Sequence, residues 1–316
     1  MSRNNLRLLP LPFALLAGLF SCSNSGTHIV EYAYAYGTNW EIHLYEGSKD
    51  DALEIVDYIN KTSRLLDVDA SASKGGIYTL NAAGEVDADP FFLEALKLGL
   101  EVEKEGHGAF CISVGALTDA WLSALEDGHV LEEAKRDALL SQAKSTTITI
   151  EGNHVSKSGN GKVDLGSIGK GLCLDGVSSI LKGKGITRYF VNAGTSSLLF
   201  GLNPGNEQGV KVNLSDAKGR YFYAKDCAVS NSSVSRQRYE IDGVVYSHII
   251  DARDGSAHLS YDALCLRGER AGYLDGLSTA YLALGEEYVS ELEEKKIDYA
   301  FMKGGEVVHA SPSFIL

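Results

Sequence analysis

The sequence predicts an α+β fold. Strand-like and helix-like segments follow one another without regular βαβ alternation, amphipathic helical stretches stand between hairpins, and an Asp-Gly pair marks a strong hairpin late in the chain. Residues 29–36 and 40–45 alternate as half-buried strands joined through Gly37-Thr38-Asn39 into an opening hairpin. Residues 49–66 place Leu53, Ile55, Val56 and Ile59 on roughly one helical stripe, and residues 91–104, behind Pro90, form a second amphipathic helix. The stretch 67–76, rich in Ser, Ala, Asp and Gly, reads as a loop, and 84–89 as another. A third helix is expected over 131–142, then an alternating strand at 146–150 and a turn at Gly152-Asn153.

Gly159-Asn160-Gly161 opens the middle of the chain, leading through a strand into a glycine turn and a helix over about 168–182. Short strands follow at 189–192, 210–214 and 221–224. Tyr239-Glu240-Ile241 and Val244-Val245-Tyr246 flank Asp242-Gly243, which supplies the positive φ angles of a type I′ turn. The second strand of this hairpin is expected to carry His248. Helices at 271–284 and 286–295 and strands at 299–302 and 307–309 complete the chain.

The first residues speak to location. Residues 1–21 carry Arg3 and Arg7, an apolar run over 8–20 and small Ser21 before Cys22, the layout of a secretory signal too short for a stable membrane span. Leu19-Phe20-Ser21-Cys22 resembles a bacterial lipobox, which implies removal of 1–21 and lipidation of Cys22. The protein is then expected to be exported and held by lipid to the periplasmic side of the inner membrane, or else the outer membrane. An uncleaved apolar anchor, or plain secretion with Cys22 unmodified, is the alternative. Residues 22–27 read as a polar tether and 28–316 as the folded part.

Removing 21 of 316 residues leaves 295, enough for one large domain or two modest ones around a shared core. The net charge of −13 becomes −13 − 2 = −15 once Arg3 and Arg7 are gone, which excludes a basic nucleic-acid footprint. An anionic ligand would need local glycine turns and a metal ion to overcome that general repulsion. Cys111, Cys173, Cys227 and Cys265 show no C-x-x-C spacing, so zinc is not indicated and buried free thiols are expected, with two disulfides as the alternative.

Three motifs carry chemistry: Val163-Asp164-Leu165-Gly166-Ser167-Ile168-Gly169-Lys170-Gly171, Ser247-His248-Ile249-Ile250-Asp251, and Asp275-Gly276-Leu277-Ser278-Thr279-Ala280. A glycine turn opening a helix can bring backbone N–H groups against a phosphate, and a carboxylate and hydroxyl four residues apart share one helix face, where they can hold a hard cation. The turn lacks both the G-x-G-x-x-G spacing and a Gly-Lys-Ser/Thr ending, so dinucleotide-fold and P-loop readings lose their support.

In order along the chain, residues 164–171, Val191-Asn192-Ala193-Gly194, residues 247–251 with Arg253 and Gly255, and residues 275–280 resemble the motifs of the ApbE family, the FAD:protein FMN transferases. Tyr36-Gly37-Thr38, Gly108-Ala109-Phe110, and Ser113-Val114-Gly115 with Leu117 extend the resemblance over nearly the whole mature chain. It implies a single large domain of mixed or antiparallel sheets flanked by helices. It implies a magnesium ion held by the Asp275 carboxylate, the Thr279 hydroxyl and the Gly169 carbonyl, with FAD as substrate. A threonine or serine hydroxyl of a target protein would attack the FMN phosphorus and AMP would leave. His248 would remove the proton from that hydroxyl or stabilise phosphate charge. Tyr36, Ala109, Phe110, Cys111, Leu172 and Ile250 would line the FAD site, with the flavin nucleotide against Gly166 and Gly169 and a phosphate contact from Lys170. Asp164 reads as a group ordering the turn at the helix start. The implied partners are flavin-bearing subunits of redox complexes or exported flavoproteins.

Four departures stand out. Cys111 occupies a position usually Asp, Thr195 and Ser196 follow Asn192-Ala193-Gly194 where Gly-Gly-Asp or Gly-Gly-Asn is common, and Ala252 and Asp254 replace Pro and Thr. Ser71 falls about where many members have a tyrosine beside the flavin, removing a stacking surface. A looser pocket would admit water, so magnesium-dependent FAD pyrophosphatase activity giving FMN and AMP is one alternative. A lipoprotein that binds flavin without turning it over is another.

Overall fold

The computed structural model describes residues 28–71, 74–202, 207–312 and 314. The expected signal, tether and Cys22 lie outside them. An eight-stranded antiparallel sheet runs in the order β1 (Ile29–Ala35), β2 (Thr38–Leu44), β6 (Tyr189–Ala193), β7 (Ser197–Phe200), β10 (Cys227–Ser233), β13 (Ala263–Gly268), β14 (Asp298–Lys303), β15 (Glu306–Ala310). Helices α1 (Lys49–Leu65), α3 (Pro90–Glu105), α6 (Gly166–Gly183) and α7 (Ala271–Leu284) enclose the main core with one face of this sheet. On the other face the ribbon β8 (Val210–Asn213)–β9 (Tyr221–Ala224) covers a second core around Phe200, Phe222 and Phe314. A third cluster joins α4 (Gly115–Glu126) and α5 (Glu133–Ser145) to the hairpin β11 (Tyr239–Ile241)–β12 (Val244–Tyr246). The α+β expectation therefore holds.

Local chemistry explains the main boundaries. Ser48 and Asp51 form a capping box that starts α1, and Asp89 caps α3 with Pro90 at its first turn. The opening hairpin turns on Tyr36 and Gly37, both at positive φ (53° and 68°), so Ala35 pairs with Thr38 and the loop is two residues. Asp242 and Gly243 make the same kind of turn between β11 and β12.

Several elements differ from the expectation. β12 ends at Tyr246, so His248 sits in the loop beyond it rather than on the strand. Residues 85–87, expected as loop, form β3 (Glu85–Asp87), because Val86 is buried and pairs with Val155 of β5 (His154–Ser158) beside β4 (Thr147–Glu151). Helices α2 (Ile77–Ala83) and α4 were not foreseen, nor were β7, β10 and β13. β13 is an apolar run packed on both faces and shows no alternation, while serine-rich β10 has little intrinsic strand preference and is set by its neighbours. The second of the two last helices, expected over 286–295, is shorter: a 3₁₀ turn at Gly285–Tyr288 follows α7, and α8 covers Val289–Glu294 alone.

The crossing of α6 over α7 positions everything that follows. A methyl group on Gly171 would lie 2.2 Å from the Ala271 carbonyl oxygen, and one on Gly272 would lie 2.8 Å from the Leu172 nitrogen, so the backbones touch. α7 is buried nearly all round: of its 14 residues, Thr279 and Ala283 alone are not buried. Gly171→Ala should therefore cost about 3 kcal/mol or prevent folding. Gly183→Ala, at the open end of the same helix with nothing near its added methyl, should be neutral or gain up to ~1 kcal/mol. Thermal melts of the two variants check the contrast.

Candidate active site

A cleft of about 260 Å³ opens where the start of α6, the middle of α7, β7, β10 and the loop after β12 converge. Its floor is the Asp275 carboxylate, 4% exposed. Gly171 N–H donates to Oδ2 at 2.7 Å, Ser197 Oγ lies 2.8 and 3.0 Å from the two oxygens, and Ser230 Oγ donates to Oδ1 at 2.6 Å. All of these donors are neutral. Burial pushes the carboxyl above its ordinary range, opposed by the nearby Lys170 charge and by the three donors. A serine network continues outward: Ser278 Oγ is 3.1 Å from Ser230 Oγ and 2.7 Å from Ser232 Oγ, which is 3.3 Å from Thr279 Oγ1. Thr279 Oγ1 also donates to the Asp275 carbonyl at 3.3 Å, as expected one helical turn on.

The glycine turn is held from both sides. Asn81 accepts from Val163 N–H and donates to its carbonyl, both at 2.8 Å, and Asp164 N–H donates to the Ile112 carbonyl at 2.8 Å. The Asp164 carboxylate accepts from Gly166 N–H at 2.7 Å, so it orders the helix start. This presents Gly166, Ser167 and Lys170 to the cleft. Gly169 faces inward, where an added methyl would meet Leu66 at 2.9 Å and the Tyr36 ring at 3.1 Å.

His248 is placed by a braced loop. Arg253 forms a two-pronged pair with buried Asp251 (2.7–3.0 Å) and donates to the Ala283 carbonyl at the end of α7. Trp121 Nε1 donates to the Gly255 carbonyl at 2.8 Å, and Ala252 N–H to the Ala109 carbonyl at 3.0 Å. His248 Nδ1 is buried without a protein partner among the described residues. Burial first, then Lys170 and Arg236, lower its pKa to about 4, so the ring is neutral at neutral pH. Arg236 stands at the cleft mouth and donates to the Gly194 carbonyl and the Thr195 hydroxyl, contacts with no carboxylate in them.

Of the residues singled out from the sequence, Phe110, Cys111, Gly166, Lys170, His248, Ile250, Asp275 and Thr279 share this cleft. Tyr36 packs between Gly169 and Trp40, Ala109 is buried in the main core, and Leu172 lines a separate groove beside α3. Cys111 is half-buried, and burial with the nearby Glu103 carboxyl pushes its thiol up to about 11. All four described cysteines are free. Sequence reasoning missed Ser197, Ser230, Ser232 and Arg236. Only the unusual run of hydroxyls over 230–235 hinted at them, and β10 itself was not foreseen. Among the described residues no three His, Cys, Asp or Glu side chains converge as metal ligands. A metal at Asp275 would thus rest on one carboxylate with hydroxyl and carbonyl oxygens.

The fold and cleft define an α+β enzyme with one buried carboxylate facing a rim of cations. The chain belongs to the ApbE family, whose profile matches residues 36–302. The FAD:protein FMN transferase of Treponema pallidum (strain Nichols) is 25% identical over 336 residues, covering 95% of this chain and 92% of that protein. That of Vibrio cholerae serotype O1 (strain O395) is 30% identical over 209 residues, 62% of this chain and 61% of that protein. The fold is similar to the flavin transferase ApbE of Vibrio cholerae, with TM-score 0.76 at 22% identity over 92% of this chain and 98% of the other. It is similar also to the ApbE protein of Thermotoga maritima, with TM-score 0.79 at 21% identity over 90% and 97% of the two chains.

The electrostatics of His248 can be read directly. Its ring resonances should titrate near pH 4 rather than 6.5. Lys170→Ala or Arg236→Ala should each move the titration upward, because removing a cation favours the imidazolium. Because the folded pKa is depressed, His248 favours folding fully above pH 6.5 and this contribution falls away between pH 6.5 and about 4. NMR titration of the three proteins checks the order.

Proposed function

We propose that this protein moves the FMN part of FAD onto a threonine or serine hydroxyl of a partner protein, releasing AMP, and that the reaction requires magnesium. Family membership supports the reaction class. The observation that carries the metal requirement is the Asp275 carboxylate, buried among neutral donors with its pKa raised. A divalent cation fits there, because it would offset the cost of that burial and its preferred ligands are the oxygens present. Asp275 and Thr279 would hold it, with the Gly169 carbonyl as the third ligand that the resemblance implies. When bound, magnesium supplies Lewis-acid stabilisation of charge on the attacked and leaving phosphate oxygens.

The protein's own groups do the rest. Lys170 and Arg236 give the cleft positive charge against a dinucleotide's phosphates, in a chain whose net charge of −13 would otherwise repel them. The neutral His248 ring can accept the proton of an incoming hydroxyl, and the braced loop fixes where that ring points. Cys111 leaves this part of the cleft uncharged where many members carry a carboxylate. Partners are expected among flavin-accepting redox subunits or exported flavoproteins. Export and lipid anchoring at Cys22 rest on residues 1–22, and no helix among the described residues is long and apolar enough to cross a membrane.

The protein with FAD and magnesium should add a flavin mass to a threonine of a candidate acceptor and release AMP in equal amount. AMP release at the same rate without acceptor would overturn transfer in favour of pyrophosphatase activity. Asp275→Asn should lower turnover about 100-fold or more. Without metal that variant should melt no lower than the parent, since the cost of burying a charge is gone, and it should lose any rise in melting temperature on adding magnesium.

A further inference from the structure

Asp175, one turn into α6 beyond Gly171, lies outside the cleft, and nothing in the reaction outlined above uses it. Its carboxylate accepts from Ala271 N–H at 2.7 Å and from Gly272 N–H at 2.9 Å, the first two amides of α7. The residue in the capping position of α7, Arg270, provides no side-chain cap. Its guanidinium is instead paired with Glu101 of α3 at 2.9 and 3.0 Å. The helix that carries Asp275 and Thr279 is therefore capped from another helix.

The arrangement is reciprocal. Gly171 N–H of α6 donates to Asp275 of α7, while Ala271 N–H of α7 donates to Asp175 of α6. Residues 171 and 175 on one helix thus mirror 271 and 275 on the other, around the point where the backbones touch at Gly171 and Gly272. We propose that Asp175 is a positioning residue that fixes α7 along its axis, so that the Asp275 carboxylate meets Gly171, Ser197 and Ser230 together. One residue of slip along a helix is about 1.5 Å, enough to break all three contacts. Two charge-assisted bonds to helix-terminal amides, placed where the helix dipole favours negative charge, resist that slip. Burial raises the Asp175 carboxyl to about 6, opposed by the Gly272 and Ala271 amides and by the Arg270 charge, so the carboxylate is the main form at neutral pH.

The proposal rests on the reading of Asp275 as the cation-holding group, but its first test does not. Hydrogen exchange of the metal-free protein should show Ala271 and Gly272 amides losing protection about 10-fold or more in Asp175→Ala, with core amides of β13 unchanged. Asp175→Asn, which keeps one acceptor, should retain part of it. In turnover of FAD against MgCl2, Asp175→Ala should raise the magnesium concentration for half-maximal rate by about 10- to 100-fold, with a smaller change in KM for FAD. Leu181→Ala, a cavity variant in the buried face of α6, serves as the control for general loss of stability. Unchanged protection at 271 and 272, or an equal magnesium shift in Leu181→Ala, would overturn the positioning role. Selective loss of protection together with no magnesium dependence in the parent would leave the latch standing and sink the metal reading instead.

Discussion

The structure depends on keeping one carboxylate, Asp275, out of water with no lysine or arginine of the described residues bonded to it. An isolated buried charge is costly, and the chain offsets the cost with neutral donors brought from three elements: an amide of α6 and serine hydroxyls of β7 and β10. Those elements lie far apart in sequence, so the site exists only when the sheet order β6-β7-β10-β13 is formed and α7 is packed upon it. Fold and site are in this sense a single requirement.

Glycine makes that requirement attainable. Side chains at 171 and 272 would hold the helices apart, and the amide of Gly171 could not reach Asp275. Gly276 extends the same logic on the far side of α7, where an added methyl would stand 2.7 Å from Val102 of α3. α7 is thus fixed by contact on several sides while Thr279 is left partly open toward the cleft. Precision at the site comes from backbone proximity, which side chains alone could not enforce to this tolerance.

What the sequence made legible follows from how local each signal is. The sequence predicts α7 with the observed bounds because its apolar content lies within the helix itself, although its N-terminal cap comes from Asp175 of α6, and β8, β9 and the Asp-Gly hairpin are likewise visible from local residues. The motif residues Lys170, His248, Asp275 and Thr279 were named from spacing and resemblance, and the fold brings them to one cleft. By contrast β7, β10 and β13 are strands by virtue of their neighbours, and the serines they aim at Asp275 have no local mark. His248 is expected on the second strand of the Asp-Gly hairpin, but that strand stops at Tyr246. The loop beyond it is held by the Asp251–Arg253 pair and by the bond from Arg253 to the Ala283 carbonyl at the end of α7, a partner thirty residues away that no local pattern marks.

The choice of hydroxyls around Asp275 has a physical consequence of its own. An amide N–H can only donate, whereas a serine hydroxyl both donates and accepts and can rotate between the two. Gly171 therefore supplies a fixed donor on one side of the carboxylate, while Ser230 can give up its bond without being left unsatisfied, since Ser230 and Ser278 lie 3.1 Å apart and Ser278 continues to Ser232, and Ser197 has the Ser196 hydroxyl 3.4 Å away. Lysine or arginine in place of those serines would hold Asp275 more tightly but would fill the position a cation needs, and apolar residues would leave it unsatisfied and drive it toward the protonated form. A ring of small reversible donors lets one buried carboxylate be stable with or without a positive charge beside it. The cleft's fixed cations, Lys170 and Arg236, stay free of Asp275 and available to an anionic ligand.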